Sequence, residues 1–136
     1  MIKQIIKDQF FLNQKSQEAS LKDIETINDL LDTIKAHPNC IGIAANMIGV
    51  LKNIIVFKEN SHYTVMINPQ IISTSKNTYK TNERCLCHQG VKETIRYQKV
   101  KVQFIDINGK KKIKTYQDQT AQIIQHEIDH CYGILI

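Results

Sequence analysis

The feature that most constrains this chain is an H-E-x-x-H motif, His126-Glu127-Ile128-Asp129-His130, close to the end of the sequence. On a helix, two histidines four residues apart lie on one face, with about 5–6 Å between their Cβ atoms. Both imidazoles can therefore bind one metal ion, with Glu127 beside the open position as a proton acceptor. Thr120 is a suitable N-cap, and Gly133 stands where a C′ glycine would. We therefore predict a metal-binding helix over residues 122–130.

The rest of this metal site must come from earlier in the chain. Many zinc proteases with the same motif take a third ligand from a downstream Glu or His. No residue after His130 is Glu, Asp or His, and Cys131 is turned about 100° away on the helix. Upstream, one short stretch contains three candidate ligands, Cys85, Cys87 and His88. The residues alone leave the choice among these three open.

Length and composition point to one globular domain. A chain of 136 residues is long enough for its own hydrophobic core and leaves little room for a second. Its 42% apolar and 23% charged residues are typical of a soluble protein. No apolar run reaches the roughly 20 residues of a membrane span, and the N-terminus lacks the long apolar stretch of a signal peptide. We expect a single cytoplasmic domain over residues 1–136, acting as a monomer.

The net charge of +5 is moderate, and its densest run is Lys110-Lys111-Lys112. No aromatic or arginine cluster accompanies this run, so a solvated hairpin edge is favoured over a nucleic-acid patch. No sequence-specific nucleic-acid partner is expected. The four cysteines form no CxxC pair, and in a reducing compartment they are expected to be thiols.

Hydrophobic periodicity predicts one amphipathic helix in the N-terminal third. Ser20 and Asp23 resemble its N-cap box, and apolar residues recur at three and four positions as far as Ile34. The sequence His37-Pro38-Asn39 ends this helix. The segment Cys40–Gly49 then places small residues between glycines, which permits close backbone approach for packing or for a substrate lying alongside.

Strand patterns occupy most of the remaining chain. The predicted strands are Ile2–Ile6, Asn53–Phe57, Tyr63–Ile67, Gln70–Ile72, Val100–Phe104 and Lys112–Tyr116. Asn108-Gly109 predicts a two-residue hairpin turn, and Ser73–Thr81 is expected to be an exposed loop. The fold class is α+β: a single domain with antiparallel-rich sheets around a C-terminal metal-binding H-E-x-x-H helix, and one amphipathic N-terminal helix.

Three separated stretches resemble the motifs of the peptide deformylases. The first family motif, G-φ-G-φ-A-A-x-Q, corresponds to Ile41–Met47, and the second, E-G-C-L-S, corresponds to Glu83–Cys87. The third, Q-H-E-x-D-H, is Gln125–His130 without departure. The order and spacing of the three fit the family, and the resemblance covers essentially the whole chain.

The resemblance implies a ligand set and two catalytic groups. Cys85, His126 and His130 would hold one divalent metal ion, Fe²⁺ in cells, although Zn²⁺, Ni²⁺ and Co²⁺ can occupy such sites. Glu127 would be the general base, and the backbone N–H of Leu86 an oxyanion donor. The chain would then be a metal-dependent hydrolase that removes the formyl group from the N-terminal formyl-methionine of nascent peptides and releases formate.

The chain departs from the family pattern at three positions. The motif-one glutamine, whose amide helps to hold the oxyanion, falls on Met47, and a thioether cannot donate a hydrogen bond. Asn46, one residue earlier, is the nearby amide that can replace it. Arg84 stands for the glycine of the second motif, and Cys87 for its serine.

The substrate side of the site is less constrained by the sequence. We expect Ile41, Gly42 and Ile123 to contact the substrate, with an apolar pocket for the formyl-methionine side chain, although Ile41 and Ile123 fit the core equally well. Two other functions remain open. One is a catalytically weakened relative that binds the ribosome or RNA, and the other is a hydrolase of a different amide. For the enzyme itself, the ribosome is an expected transient partner.

Overall fold

A computed structural model describes residues 1–136 of the chain, which forms three α-helices and seven β-strands. The helices are α1 (Gln9–Leu12), α2 (Ile24–Lys35) and α3 (Asp118–Cys131). The strands are β1 (Gly42–Ala44), β2 (Ile54–Glu59), β3 (His62–Thr74), β4 (Thr78–Glu83), β5 (Lys92–Tyr97), β6 (Lys99–Ile105) and β7 (Lys111–Gln117). Two 3₁₀ turns, Leu21–Asp23 and Ala45–Ile48, follow the N-terminal arm and β1.

The strands form two separate antiparallel sheets. Five of them make one sheet in the order β1-β2-β3-β6-β7, while β4 and β5 form a two-stranded sheet. Helix α3 packs against β1, β2 and β7 of the large sheet and also contacts β5 of the small one. The structure therefore confirms the α+β fold class, with the H-E-x-x-H helix between the two sheets. None of the helices has both the length and the apolar character needed to cross a membrane.

The core lies between the large sheet and the two long helices. All four residues of β2 from Ile54 to Phe57 are completely buried, and the Phe57 ring meets the Tyr116 ring edge-on at 6.0 Å. Helix α2 buries Ile27, Leu30 and Ile34 on its inward face. Fully burying a side chain of this kind contributes about 1.5–3 kcal/mol. This packing fixes α3 against the sheet, and hence fixes the histidines that α3 carries.

Several local predictions are confirmed. Ser20 and Asp23 form a capping box, although the first turn is 3₁₀ and α2 proper begins at Ile24. Asn108-Gly109 lies in the turn between β6 and β7, and Gly109 has a φ of 82°, but the connection is the five-residue segment 106–110 and not the predicted two-residue turn. Gly133 has a φ of 76° just beyond α3, as a C′ glycine requires.

Other local predictions are wrong. Ile2–Ile6 forms no strand, because its one backbone bond to another segment is Ile6 N–H to the Met47 carbonyl (2.8 Å). The two strands predicted around Asn68-Pro69 are one strand, β3, with a register shift between Ile67 and Gln70. Ser73–Thr81 is largely strand, since β3 runs to Thr74 and β4 begins at Thr78.

The start of the metal-binding helix also differs from the prediction. Helix α3 begins at Asp118, and its N-cap residue is Gln117, three residues before the predicted cap at Thr120. Asp118 has a φ of 57°, and its backbone N–H donates to the Gln98 carbonyl at 2.9 Å. This hydrogen bond to the turn between β5 and β6 fixes the start of α3 at Asp118, before the N-cap predicted from the sequence at Thr120.

Candidate active site

The two histidines of α3 converge on a common point. His126 and His130 are buried, and their Nε2 atoms lie 3.3 Å apart. Two nitrogens that bind one tetrahedral metal ion at about 2.0–2.1 Å lie about 3.3 Å from each other. The spacing of four residues on one helix therefore positions both rings as the sequence predicted, at a separation that suits a shared ion.

Cys85 brings a third donor from the turn that follows β4. Its Sγ lies 3.3 Å from Nε2 of His130. The Sγ of Cys87 is 3.2 Å from that of Cys85, and the ligand atoms of Cys85, Cys87 and His130 all lie within 4.8 Å of one another. The His88 ring turns away, with its Nε2 2.5 Å from the carbonyl oxygen of Ile136. Of the three upstream candidates, the structure thus brings the two thiols, and not His88, to the histidine pair.

The donor set fits a divalent transition metal. Two imidazoles and a thiol offer nitrogen and sulfur lone pairs, which suit Fe²⁺, Zn²⁺, Ni²⁺ and Co²⁺ rather than Mg²⁺ or Ca²⁺. Cys85 is half-buried whereas His130 is fully buried, so this cluster meets solvent on its cysteine side. A catalytic site needs such an open side, because water or substrate must occupy the remaining position.

Behind the histidines lies a buried ion network. The Nδ1 atom of His126 is 2.8 Å from Oε1 of Glu83. Arg96 donates to both oxygens of Glu83, from Nε at 2.9 Å and from Nη2 at 2.6 Å, and its Nη1 is 2.5 Å from Asp129. Burial opposes ionisation of Glu83, but the hydrogen bonds from His126 and Arg96 outweigh it and lower its pKa to about 2. Glu83 is therefore a carboxylate at neutral pH.

The Glu83 carboxylate orients the His126 ring. With its Nδ1–H donated to Glu83, the ring turns its Nε2 toward Nε2 of His130. Burial alone would lower the pKa of His126, but its contacts with Cys85 and Glu83 dominate and raise it to about 10. A cation that binds this ring must therefore displace a proton, so metal affinity should weaken as the pH falls.

Glu127 is buried next to this cluster. Its side chain is buried, and Oε1 has no hydrogen-bond partner in the protein. Burial raises the pKa of this carboxyl to about 7. Gly42 of β1 packs directly against it, because a Cβ at position 42 would lie 2.7 Å from Oε2. An unpaired carboxyl with a raised pKa, held beside the ligand cluster, has the properties of a general base.

A cleft of about 830 Å³ opens onto these groups. Ile41 and Ile123 line it as apolar walls, the first 42% exposed and the second 9% exposed. Gly42 and Leu86 line it as well, and the Leu86 backbone N–H makes no hydrogen bond within the protein. The structure thus brings all three predicted substrate-contact residues and the predicted N–H donor to one cleft, next to Glu127.

The structure does not bring Asn46 to this cleft. Asn46 is buried in the 3₁₀ turn after β1, and its Nδ2 donates to the backbone carbonyl of His130 at 3.0 Å. Met47 is also buried, and its Sδ accepts from the Ala44 N–H at 3.5 Å. The expectation that the Asn46 amide supplies the missing oxyanion donor is therefore corrected, because that amide is committed to the end of α3.

Sequence reasoning missed Arg96 and left the role of Glu83 open. The available signal was the alternation Lys92-Glu93-Thr94-Ile95-Arg96, which places an arginine on one face of a strand. Arg96 is only 4% exposed, and a buried arginine requires a carboxylate partner.

The comparison with known families decides the identity. The family model described as polypeptide deformylase matches residues 2–136. The chain belongs to the peptide deformylase family. It is 48% identical to the peptide deformylase of Clostridium beijerinckii, and the match covers 100% of both chains. It is 33% identical to the peptide deformylase of Rickettsia akari, over 92% of this chain and 79% of that one.

Solved deformylase structures share this fold. The peptide deformylase of Ehrlichia chaffeensis superposes with a TM-score of 0.89 at 28% identity, covering 99% of this chain and 86% of that one. A probable peptide deformylase from Synechococcus phage S-SSM7 gives a TM-score of 0.87 at 33% identity, covering 99% and 95%. This deformylase is accordingly a metal-dependent hydrolase, and the comparisons support that function over an RNA-binding module or another amidase.

Proposed function

We propose that this deformylase removes the N-formyl group from the N-terminal formyl-methionine of nascent peptides. One observation carries the proposal: the Cys85, His126 and His130 donors meet beside the buried Glu127 carboxyl, at a cleft with apolar walls. The reaction adds water across the formyl C–N bond. A C–O bond forms, the C–N bond breaks, and the products are formate and a free amine.

Cys85, His126 and His130 would hold the metal ion. When bound there, a divalent cation supplies Lewis acidity, which polarises a carbonyl oxygen and lowers the pKa of water toward about 7. Glu127 takes a proton from the attacking water on its carboxylate and later gives that proton to the leaving nitrogen. Its raised pKa of about 7 suits both tasks near neutral pH.

The Leu86 N–H is placed to stabilise the developing negative charge on the formyl oxygen. Leu86 lines the cleft and its N–H has no acceptor within the protein, so the N–H can donate to the substrate without losing another hydrogen bond. One such donor typically contributes about 10²–10³ in rate. Since Asn46 is held by His130, we propose that the chain relies on Leu86 and the cation for this role.

The apolar walls of the cleft suit a methionine side chain. We propose that Ile41 and Ile123 contact its thioether chain and that Gly42 lets the formylated end approach Glu127. A Cβ at position 42 would also meet Ile123 Cγ2 at 2.9 Å, so glycine keeps this part of the cleft open. Each buried methylene of the substrate is worth about 0.8 kcal/mol.

We propose Fe²⁺ as the cation in cells, with Zn²⁺, Ni²⁺ or Co²⁺ as substitutes. Two nitrogen donors and one thiolate suit all four ions, and the resemblance to the family supports iron. Elemental analysis of protein purified without oxygen tests this proposal. Zinc as the dominant metal under those conditions would overturn it.

We further propose that this cytoplasmic enzyme acts as a monomer and meets its substrates at the ribosome in passing contacts. The net charge of +5 favours contact with RNA phosphates without sequence preference. Co-sedimentation with ribosomes should then be weak and should disappear as the salt concentration rises. Binding that resists high salt would contradict a transient electrostatic contact.

Formate release by anaerobically purified protein tests the catalytic proposal. The substrate is a formyl-methionyl tripeptide, and the matched control is the same tripeptide carrying an acetyl group. We expect formate and free tripeptide in equal amounts from the first and no hydrolysis of the second. Absence of formate from protein that contains one equivalent of metal would refute the proposed activity.

A further inference from the structure

Cys87 is a buried thiol that the proposed mechanism does not use. It is 2% exposed, and its Sγ lies 3.2 Å from Sγ of Cys85. The other two thiols do not contact this pair: Cys40 lines the same cleft but donates to the Gly42 carbonyl at 3.0 Å, and Cys131 is buried on α3. All four cysteines are free. The pair 85–87 is thus a contact between two thiols, one of which belongs to the ligand cluster.

The local backbone holds these two thiols together. Only Leu86 separates Cys85 from Cys87. In this segment the backbone nitrogen of His88 lies 3.5 Å from the Cys85 carbonyl oxygen. A disulfide has an S–S bond of about 2.05 Å, so the two sulfur atoms need to approach by only about 1.2 Å.

The two thiols differ in their access to solvent. Cys85 is half-buried and lines the cleft, whereas Cys87 lies behind it and does not. A small oxidant entering the cleft therefore meets Cys85 first. A cysteine that lines a cleft, with a second, buried thiol at contact distance, is the arrangement of a redox pair with a resolving cysteine.

We propose that Cys85 and Cys87 form a reversible disulfide when hydrogen peroxide enters the cleft. The Cys85 sulfur attacks one peroxide oxygen, the O–O bond breaks, and Cys85 sulfenic acid and water are formed. The Cys87 sulfur then attacks the Cys85 sulfur, and the sulfenic oxygen leaves as a second water. In sum, two thiols lose two protons and two electrons, and hydrogen peroxide is reduced to two waters.

The disulfide would prevent the ligand cluster from binding a metal ion. A disulfide sulfur is no longer a thiolate, so Cys85 cannot hold a cation while it is bonded to Cys87. The disulfide also protects Cys85 from irreversible oxidation to sulfinic or sulfonic acid, and a thiol reductant restores both thiols. This inference rests on the proposed role of Cys85 as a ligand, whereas the disulfide itself requires only the contact between the two sulfurs.

The experiment uses the full chain loaded with Zn²⁺, which has no redox chemistry of its own. The protein is treated with hydrogen peroxide, its remaining thiols are alkylated, and it is cleaved with trypsin. Cleavage after Arg84 and Lys92 releases one peptide, residues 85–92, that contains both cysteines. We expect this peptide to be unalkylated and two hydrogens lighter, the peptides with Cys40 and Cys131 to be alkylated, and Zn²⁺ to be released.

A matched pair of variants tests whether Cys87 converts the sulfenic acid on Cys85 into a disulfide before Cys85 is oxidised further. In Cys87→Ser, Cys85 should gain two or three oxygen atoms, and reductant with fresh Zn²⁺ should not restore metal binding. In Cys40→Ser, which removes another thiol of the cleft, the 85–87 disulfide should form and reverse as in the wild type. Cys87→Ala serves in the same way if the serine variant does not fold.

Two results overturn the inference. The first is a wild-type peptide 85–92 that gains oxygen or is still fully alkylated after the peroxide step. The second is a Cys87→Ser protein that regains metal binding as fully as the wild type after reduction. The mass of this peptide tests the disulfide and does not depend on catalysis. A protein that forms the disulfide but releases no formate would refute the proposed function and leave the disulfide standing.

Discussion

Nδ1 of His126 lies 2.8 Å from Oε1 of Glu83, so the ring that faces the ligand cluster is held from behind by a carboxylate at the end of β4. Cys85 follows two residues after Glu83, so one short segment supplies both a proposed ligand and the support for another. Arg96 completes the arrangement by binding Glu83 through two nitrogens. The small sheet β4–β5 thus positions the metal-facing atoms of α3.

Glu83→Gln should weaken metal binding without removing a ligand. The amide keeps the size of the side chain but loses the charge that holds His126 and pairs with Arg96. Loss of such a supporting carboxylate typically costs 10–100-fold in metal affinity. Competition with a chelator measures the change, and Glu93→Gln on the exposed face of β5 is the matched control. An unchanged affinity for Glu83→Gln would show that His126 needs no such support.

Removal of Cys85 and removal of Cys87 should have different effects on metal binding. Cys85→Ala is expected to lose the metal, because it deletes one of three donors, whereas Cys87→Ala should retain one equivalent. Elemental analysis after gel filtration measures both variants. The reverse result, with metal lost from Cys87→Ala and kept by Cys85→Ala, would mean that Cys87 is the ligand.

Glu127→Gln should keep the fold and the metal but lose most of the turnover. The amide occupies the same volume and cannot accept the proton of the attacking water. General acid–base catalysis typically contributes about 10²–10⁴-fold, so kcat should fall by that order. Steady-state formate release measures it, with metal content as the control. Turnover within a few-fold of the wild type would remove Glu127 from the mechanism.

Gly42→Ala should lower turnover by displacing the Glu127 carboxylate. The new Cβ would lie 2.7 Å from Glu127 Oε2 and 2.9 Å from Ile123 Cγ2, so the Glu127 side chain must move. We expect kcat to fall by about 10²-fold, since small displacements in an active site can cost that much. In the double variant with Glu127→Gln, the two effects should not multiply, because both act on one group. Fully multiplicative losses would assign Gly42 a separate role.

The parts of the fold that follow from local sequence signals were predictable. Ser20 and Asp23 mark the start of a helix by their own hydrogen bonds, and Asn108-Gly109 marks a turn by its backbone preference. The spacing of His126 and His130 likewise depends only on helix geometry. Each of these features needs no knowledge of distant residues.

The features that were missed depend on partners far along the chain. Strand β4 has mostly exposed or half-exposed side chains, so it lacks a hydrophobic pattern and exists because it pairs with β5. Ile2–Ile6 has the opposite character, with strand-forming residues but no strand to pair with. Asn46 faces the end of α3 because of a hydrogen bond to His130, 84 residues away in the chain.

Asp106 provides a prediction on pH that lies away from the active site. Its Oδ1 accepts from the backbone N–H groups of Asn108 and Lys110, both at 2.9 Å, and its Oδ2 lies 3.1 Å from Lys112 Nζ. These contacts, with the Lys110 N–H first, hold the pKa of Asp106 below its ordinary value of 3.8. The carboxylate thereby stabilises the β6–β7 hairpin only while it is charged.

Asp106→Asn should therefore destabilise the protein at neutral pH and progressively less in acid. Because the folded-state pKa lies below 3.8, the stabilisation by Asp106 is complete above that value and is lost as the pH falls through the folded-state pKa. Urea unfolding of wild type and variant between about pH 3 and pH 7 measures the difference in free energy of unfolding. Lys112→Gln should show the same trend with a smaller amplitude, since the two backbone hydrogen bonds remain. A difference between wild type and Asp106→Asn that stays constant down to about pH 3 would mean that hydrogen-bond geometry, not charge, stabilises the hairpin.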